Sequence, residues 1–164
     1  MASGAGSTNW EAYGLEQLWQ MVRDEDKAAT ISMDQHAAFG LMHDVLEHEV
    51  DVLTRAVEQL EAKWPPRPGT AAEAFTSFVR NWIASMAETA EGATATQQVI
   101  GDITTELTWA RSRVAELMAA NRRLTEAEKA NPFAADVCAQ SREALTREAR
   151  RILAEADFAV AAAA

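Results

Sequence analysis

The residues best able to do chemistry cluster on one stretch. His36, His43 and His48 are the histidines of a 164-residue chain, and Asp44, Glu47 and Glu49 lie among them. On a helix, His36 and His43 share a face, and His43–Glu47 and Asp44–His48 are i,i+4 neighbours. Imidazole nitrogen and carboxylate oxygen are the donors that a divalent metal takes. The candidate ligands are therefore His36, His43, Glu47 and His48. A metal centre in a helical bundle draws carboxylates and Glu-x-x-His pairs from facing helices. No Glu-x-x-His occurs here, and no other helix supplies a histidine. A structural or surface role outweighs a metal site or a pH sensor, and no cofactor is expected.

Nucleophilic chemistry has less support. Cys138 is the single cysteine, sits mid-helix at an apolar position and has no local histidine, so it reads as a small core residue. One cysteine rules out a disulfide framework or a cysteine-based zinc site within the chain. There is no phosphate-cradling glycine loop, Gly-x-Ser-x-Gly or Cys-x-x-Cys. With 25 acidic residues spread along helical patterns, paired carboxylates carry no signal. The expectation is a protein that does no catalysis.

Charge narrows the partners. The net charge is −10, which disfavours nucleic acid and anionic membrane. Acid concentrates early, at Asp24–Asp26 and through 44–51. Arginine concentrates late, at Arg111, Arg113, Arg122, Arg123, Arg147, Arg150 and Arg151. Most of these charges read as solvated helix faces. No apolar run reaches the length of a membrane span, and the chain opens without a basic-then-apolar leader.

The elements that would position these residues are all helices, because alanine dominates the apolar fraction and period-two alternation never persists. Residues 1–8 read as a flexible start, followed by a single helical bundle domain over 9–164. The first helix is expected at about 9–24, with Thr8 and Glu11 as a capping box and Leu15, Leu18, Trp19 and Val22 on its apolar face. The second is expected at about 33–64, opened by Ser32 and Gln35. Its stripe is Phe39, Met42, Leu46, Val50, Leu53, Val57, Leu60 and Trp64, a heptad-like seam.

Pro65, Pro66 and Pro68 then stop the helix, and Gly69 permits the reversal. Thr70 and Glu73 open a third helix at about 71–128. Its apolar positions are Phe75, Phe78, Val79, Trp82, Met86 and Ala90, then Val99, Ile100, Ile103, Leu107, Ala110, Val114, Leu117 and Met118. The small residues of 91–96 are a possible kink, but Gly92 and Gly101 at about 1 kcal/mol each do not stop a packed helix. Asn131–Pro132 opens the fourth helix, about 132–160, with Phe133, Val137, Leu145, Ile152, Leu153 and Phe158 on its face. The fold class is all-α, an elongated antiparallel helical hairpin or bundle. The third helix serves as spine, with the second packed on its first half and the fourth on its second. By helix rise this rod would be on the order of 80–90 Å long.

Five tryptophans are many for this length. Trp10, Trp19, Trp64 and Trp82 fall on or beside apolar stripes, where core packing is the default. Exposed tryptophan edges would instead anchor a partner helix.

The stretch Trp64–Phe75, WPPRPGTAAEAF, resembles the helix-turn-helix tip of the WXG and PPE-like substrates of type VII secretion in actinobacteria, and of the N-terminal domains of secreted toxins from the same bacteria. Trp64, Gly69, Ala71, Ala72 and Phe75 occupy the places of the family's tip motif. Four residues, Pro65–Pro68, separate Trp64 from Gly69 where the family has one. The family's Tyr-x-x-x-Asp or Tyr-x-x-x-Glu export signal is absent, since the single tyrosine, Tyr13, is followed by Gln17 in the fourth place. The resemblance implies an exported helical protein that binds a partner through its tip. That partner would be a heterodimer partner or secretion chaperone. Localisation would be secretion by a leaderless route or association with the cell envelope. The alternative is a cytoplasmic helical adaptor or a self-associating scaffold.

Overall fold

The structure, a computed structural model, describes residues 8–23 and 26–163, with the backbone alone over 26–30. The expected flexible start, residues 1–8, lies outside the described residues except for Thr8, which is exposed and outside any helix. A 3-10 turn at Trp10–Ala12 leads to α1 (Leu15–Arg23), α2 (Asp26–Lys63) and α3 (Ala71–Ala130). A second 3-10 turn, Pro132–Ala134, precedes α4 (Ala135–Ala163). Among the described residues there is no strand, so the chain is all-α, as its patterning predicts. Its contacts gather into two compact units. One spans residues 33–100. The other combines 101–164 with the N-terminal segment up to residue 32.

Two helix starts differ from expectation. Thr8 and Glu11 do not cap α1; the chain makes a 3-10 turn and enters the α-helix at Leu15. The Gly14 N–H donates to Gln17 Oε1 at 3.0 Å, and the Leu18 N–H donates to the Gly14 carbonyl. This is the reciprocal half of a capping box, moved to the point where the apolar periodicity begins. Ser32 and Gln35 do not open α2 either, because the helix already runs from Asp26. Ala28 and Ala29 are strong helix formers, so nothing in 27–31 forces the backbone out of the helical region ahead of Ser32.

The start of α3 follows its sequence signal. The Glu73 N–H donates to Thr70 Oγ1 at 3.3 Å, and Glu73 Oε2 accepts from the Gly69 N–H at 2.6 Å. Gly69 sits at φ +76°, in the left-handed region that a Cβ disfavours. α3 then continues unbroken through 91–101. Thr94 and Thr96 return their hydroxyls to the carbonyls of Ala90 and Gly92. At the fourth helix, the Asn131 side chain accepts from the Phe133 N–H and Pro132 holds the first position.

The unit containing both termini has a closed core. Leu15, Leu18 and Val22 from α1 meet Ala110, Val114 and Met118 from α3, and Ala149, Ile152, Leu153 and Ala156 from α4. Trp10, Tyr13 and Trp19 pack on its edge, as the core default for tryptophan predicts for Trp10 and Trp19. Cys138 is buried. The α4 face is rotated from expectation: Ile152 and Leu153 are inside, but Phe133, Val137 and Phe158 are exposed. Alanines fill the contact instead, because small side chains let helices approach closely.

Candidate functional site

The unit of residues 33–100 is the hairpin of α2 and α3, and its seam can be traced residue by residue. On α2 the covered positions that repeat regularly are Phe39, His43, Leu46, Val50, Leu53, Val57 and Leu60. On α3 the row is Ala72, Thr76, Val79, Ile83, Met86, Ala90, Ala93 and Gln97, with Glu73 and Ala87 half-covered beside it. Both rows step by 3 and 4, the spacing of two helices packed along a heptad seam. Thr76 is buried but satisfied, its hydroxyl donating to the carbonyls of Ala72 and Glu73.

The histidine cluster does not assemble as a metal site. His43 takes a seam position, with Nδ1 3.2 Å from the Ala90 carbonyl and 2.9 Å from Thr94 Oγ1. Its Nε2 is 3.7 Å from Glu47 Oε2. His36 and His48 are exposed on α2. Among the described residues no three His, Cys, Asp or Glu side chains converge to hold an ion. One helical turn away, the Gln97 side chain lies over Gly40, where a Cβ would meet its Nε2 at 2.6 Å. His43, Thr94, Gly40 and Gln97 thus form a polar notch in an apolar seam, and the His43–Thr94 contact and the close approach of Gln97 to Gly40 fit one register of the two helices.

The tip residues divide their work. Gly69 makes the reversal. Ala72 is fully buried, so a small side chain is what lets α3 close on α2 there. Ala71 is exposed, and Trp64 and Phe75 are each about half exposed. Phe75, Phe78 and Trp82 therefore do not line the core, as the apolar periodicity suggested. Phe78 is 68% and Trp82 53% exposed. Trp82, Phe78 and Asn81 line an open, almost wholly apolar hollow.

The two flanks of the hairpin differ chemically. Arg80 on α3 donates to both carboxylate oxygens of Glu61 on α2, at 3.2 and 2.8 Å. These residues directly follow seam positions Val79 and Leu60, so the positions that follow the seam share one flank. Glu47, Glu61, Glu73 and Arg80 line it. The opposite flank carries, on α3, Phe75, Phe78, Trp82, Ser85, Thr89, Gly92 and Thr96 at steps of 3 and 4. On α2 it carries Met42, Val45, Glu49, Val52, Ala56, Gln59 and Lys63 at the same steps. One flank is charged and the other is largely apolar and exposed. The aromatics were visible in sequence. Their exposure follows only once Ala72, Thr76, Ala90 and Ala93 are seen to own the seam.

No family model, no curated protein and no solved structure matches the chain. No described helix is long and apolar enough to cross a membrane.

Proposed function

We propose that this chain is a helical partner-binding module that does no chemistry and docks another helical protein through the tip and apolar flank of the α2–α3 hairpin. One observation carries the reading: Phe75, Phe78 and Trp82 recur at steps of 3 and 4 along one face of α3 next to the turn, Trp64 follows the last residue of α2, and all four are 44–68% exposed. Exposed aromatics at helical spacing on one face are what helix–helix interfaces use as anchors. The resemblance of Trp64, Gly69, Ala71, Ala72 and Phe75 to the type VII tip motif supports a more specific role, as a secretion substrate or targeting domain. Its partner would be a helical protein or secretion chaperone, and its destination the medium or the cell envelope.

Export tests the specific role. In an actinobacterial host with a working type VII system, the chain should accumulate in the medium. Export should stop when the secretion ATPase is removed or when Trp64 and Phe75 are both changed to alanine. Retention in the cytosol with the system intact would sink it. A cytoplasmic adaptor or scaffold is the second reading. It is favoured by the flank continuing past the tip through Val52, Val45 and Met42, well beyond the motif residues.

A further inference from the structure

The closed unit is built like a groove with a ligand seated in it. α1 has nine residues, too few to hold a helix alone in water. It is helical because one face docks: Leu15, Leu18 and Val22 recur at i, i+3 and i+7 and are 0–6% exposed. The other face stands in water, with Glu16, Gln17, Gln20 and Met21 exposed. That spacing and one-sided burial belong to an amphipathic helix laid into a hydrophobic groove.

The groove has features of its own. On α4, Ala149 and Ala156 lie seven residues apart and are both buried, so they form a floor on which a helix can lie close. Ile152 and Leu153 stand between them, and Val114 and Met118 of α3 complete the apolar surface. Two polar side chains mark one end. Arg150 Nε and Nη2 both donate to the Tyr13 carbonyl, at 3.1 and 3.0 Å. Asp157 Oδ2 accepts from Trp10 Nε1 at 2.8 Å. The arginine reads backbone just ahead of the docked helix, and the aspartate reads an indole N–H five residues before Leu15.

We propose that this face of α3 and α4 is a recognition site for an amphipathic helix, that Trp10–Arg23 is its resident ligand, and that a helix of another protein carrying the same anchors takes its place. The site is independent of the α2–α3 flank. Being tethered, the resident competes at an effective concentration on the order of mM. The same segment of a second copy is held by its own groove in the same way and is not free to trade. A free helix with a tryptophan five residues before its first leucine carries no such hold. The N-terminal segment thus acts as an internal competitor, and the affinity for an outside helix falls with the fraction of chains whose groove is open.

A fluorescent peptide of residues 8–23, titrated into the full chain and followed by anisotropy, tests the proposal. The unaltered chain should bind it weakly. Leu15→Ala in the chain weakens the resident and leaves peptide and groove intact, so it should bind the peptide about thirtyfold more tightly or better. Trp10→Phe in the chain should give a gain of about fivefold. Adding Arg150→Gln to Leu15→Ala should cancel most of the gain. A peptide with Leu18→Asp should bind none of these chains, which separates docking in the groove from sticking to a loosened core.

Equal, weak uptake by the unaltered chain and by Leu15→Ala, with the unfolding midpoint of Leu15→Ala lowered, would make segment and groove one inseparable core and overturn the proposal. Uptake indifferent to Arg150→Gln would put the peptide elsewhere and overturn it too. If Leu15→Ala chains pair with each other in sedimentation and the pairing excludes the peptide, the occupant is a second copy, and the assignment to another protein fails.

Discussion

The two units solve the same problem, burying one stripe of a long helix, with opposite results. Around 101–130, α3 is covered by α1 and α4, and Leu18, Val114 and Ile152 lose nearly all contact with water. The N-terminal segment is fastened there by polar contacts: Trp10 Nε1 donates to Asp157 at 2.8 Å, and Arg150 donates to the Tyr13 carbonyl and to Glu11. Over 71–100 the same helix has one neighbour in its unit, α2, and one helix covers one stripe. The second stripe, Phe75–Phe78–Trp82, is left outside. A two-helix unit has no third element to cover such a stripe, which is why exposed aromatics appear here on the hairpin.

Substitution should expose that difference directly. Leu18→Ala, at a site with no exposure, should destabilise by about 3–4 kcal/mol, since a fully packed leucine leaves a cavity. Phe78→Ala should change the stability of the isolated chain by less than about 0.5 kcal/mol despite deleting more atoms. Denaturant unfolding of both variants at concentrations where the chain is monomeric checks the contrast. A large loss from Phe78→Ala would mean the flank is core after all.

The hairpin can also be stressed from its turn. Gly69→Ala places a Cβ on a backbone at φ +76° and should cost about 1–2 kcal/mol. The space around that Cβ is open, so the loss is backbone strain and not collision. A native-state exchange measurement should show it mainly in amides of the hairpin. Loss of protection around Leu18 instead would mean that the two units unfold as one.

The same contrast explains what the sequence could convey. Caps at Thr70–Glu73 and Asn131–Pro132 and the reversal at Gly69 are local chemistry, and they were legible. Ser32–Gln35 looked like a cap because side-chain identity does not say whether the backbone before it has left the helix. Much of the buried face of α3 was legible, at Val79, Met86, Ala90, Val114 and Met118; that the aromatic stripe lies outside it was not, for a different reason. α3 carries two stripes side by side, one aromatic and one built from Ala72, Thr76, Ala90 and Ala93. Hydrophobic periodicity ranks the aromatic stripe first, while close approach of helices selects the small one. Phe133, Val137 and Phe158 on α4 were misplaced by the same preference.

A smaller effect separates fastening from packing in the closed unit. Trp10→Phe keeps most of the ring that packs on the core but removes the donor to Asp157. It should cost about 1 kcal/mol, the net worth of one such bond. Thermal unfolding of Trp10→Phe beside Asp157→Asn tests it. If the bond matters, the double variant should lose less than the two single losses combined.

The smallest effect belongs to the charged surface of α4. Arg151 donates to Glu148 at 2.9 and 2.6 Å and to Glu155 at 2.5 Å. The hydrogen bond from Arg151 holds the Glu148 carboxyl below its ordinary 4.5, with the guanidinium charge adding to it. A depressed carboxylate contributes stability at pH above its unfolded value and loses that contribution as pH falls through the folded one. The window therefore lies below about pH 4.5. Because the pair stands in water, salt should screen it and the change in unfolding midpoint should be slight. Site-resolved titration is the sensitive readout: Arg151→Gln should return the Glu148 midpoint upward toward its ordinary value, with little change in the core around Ile152. An unchanged Glu148 midpoint would assign the depression to Arg113, the other guanidinium that acts on this carboxylate.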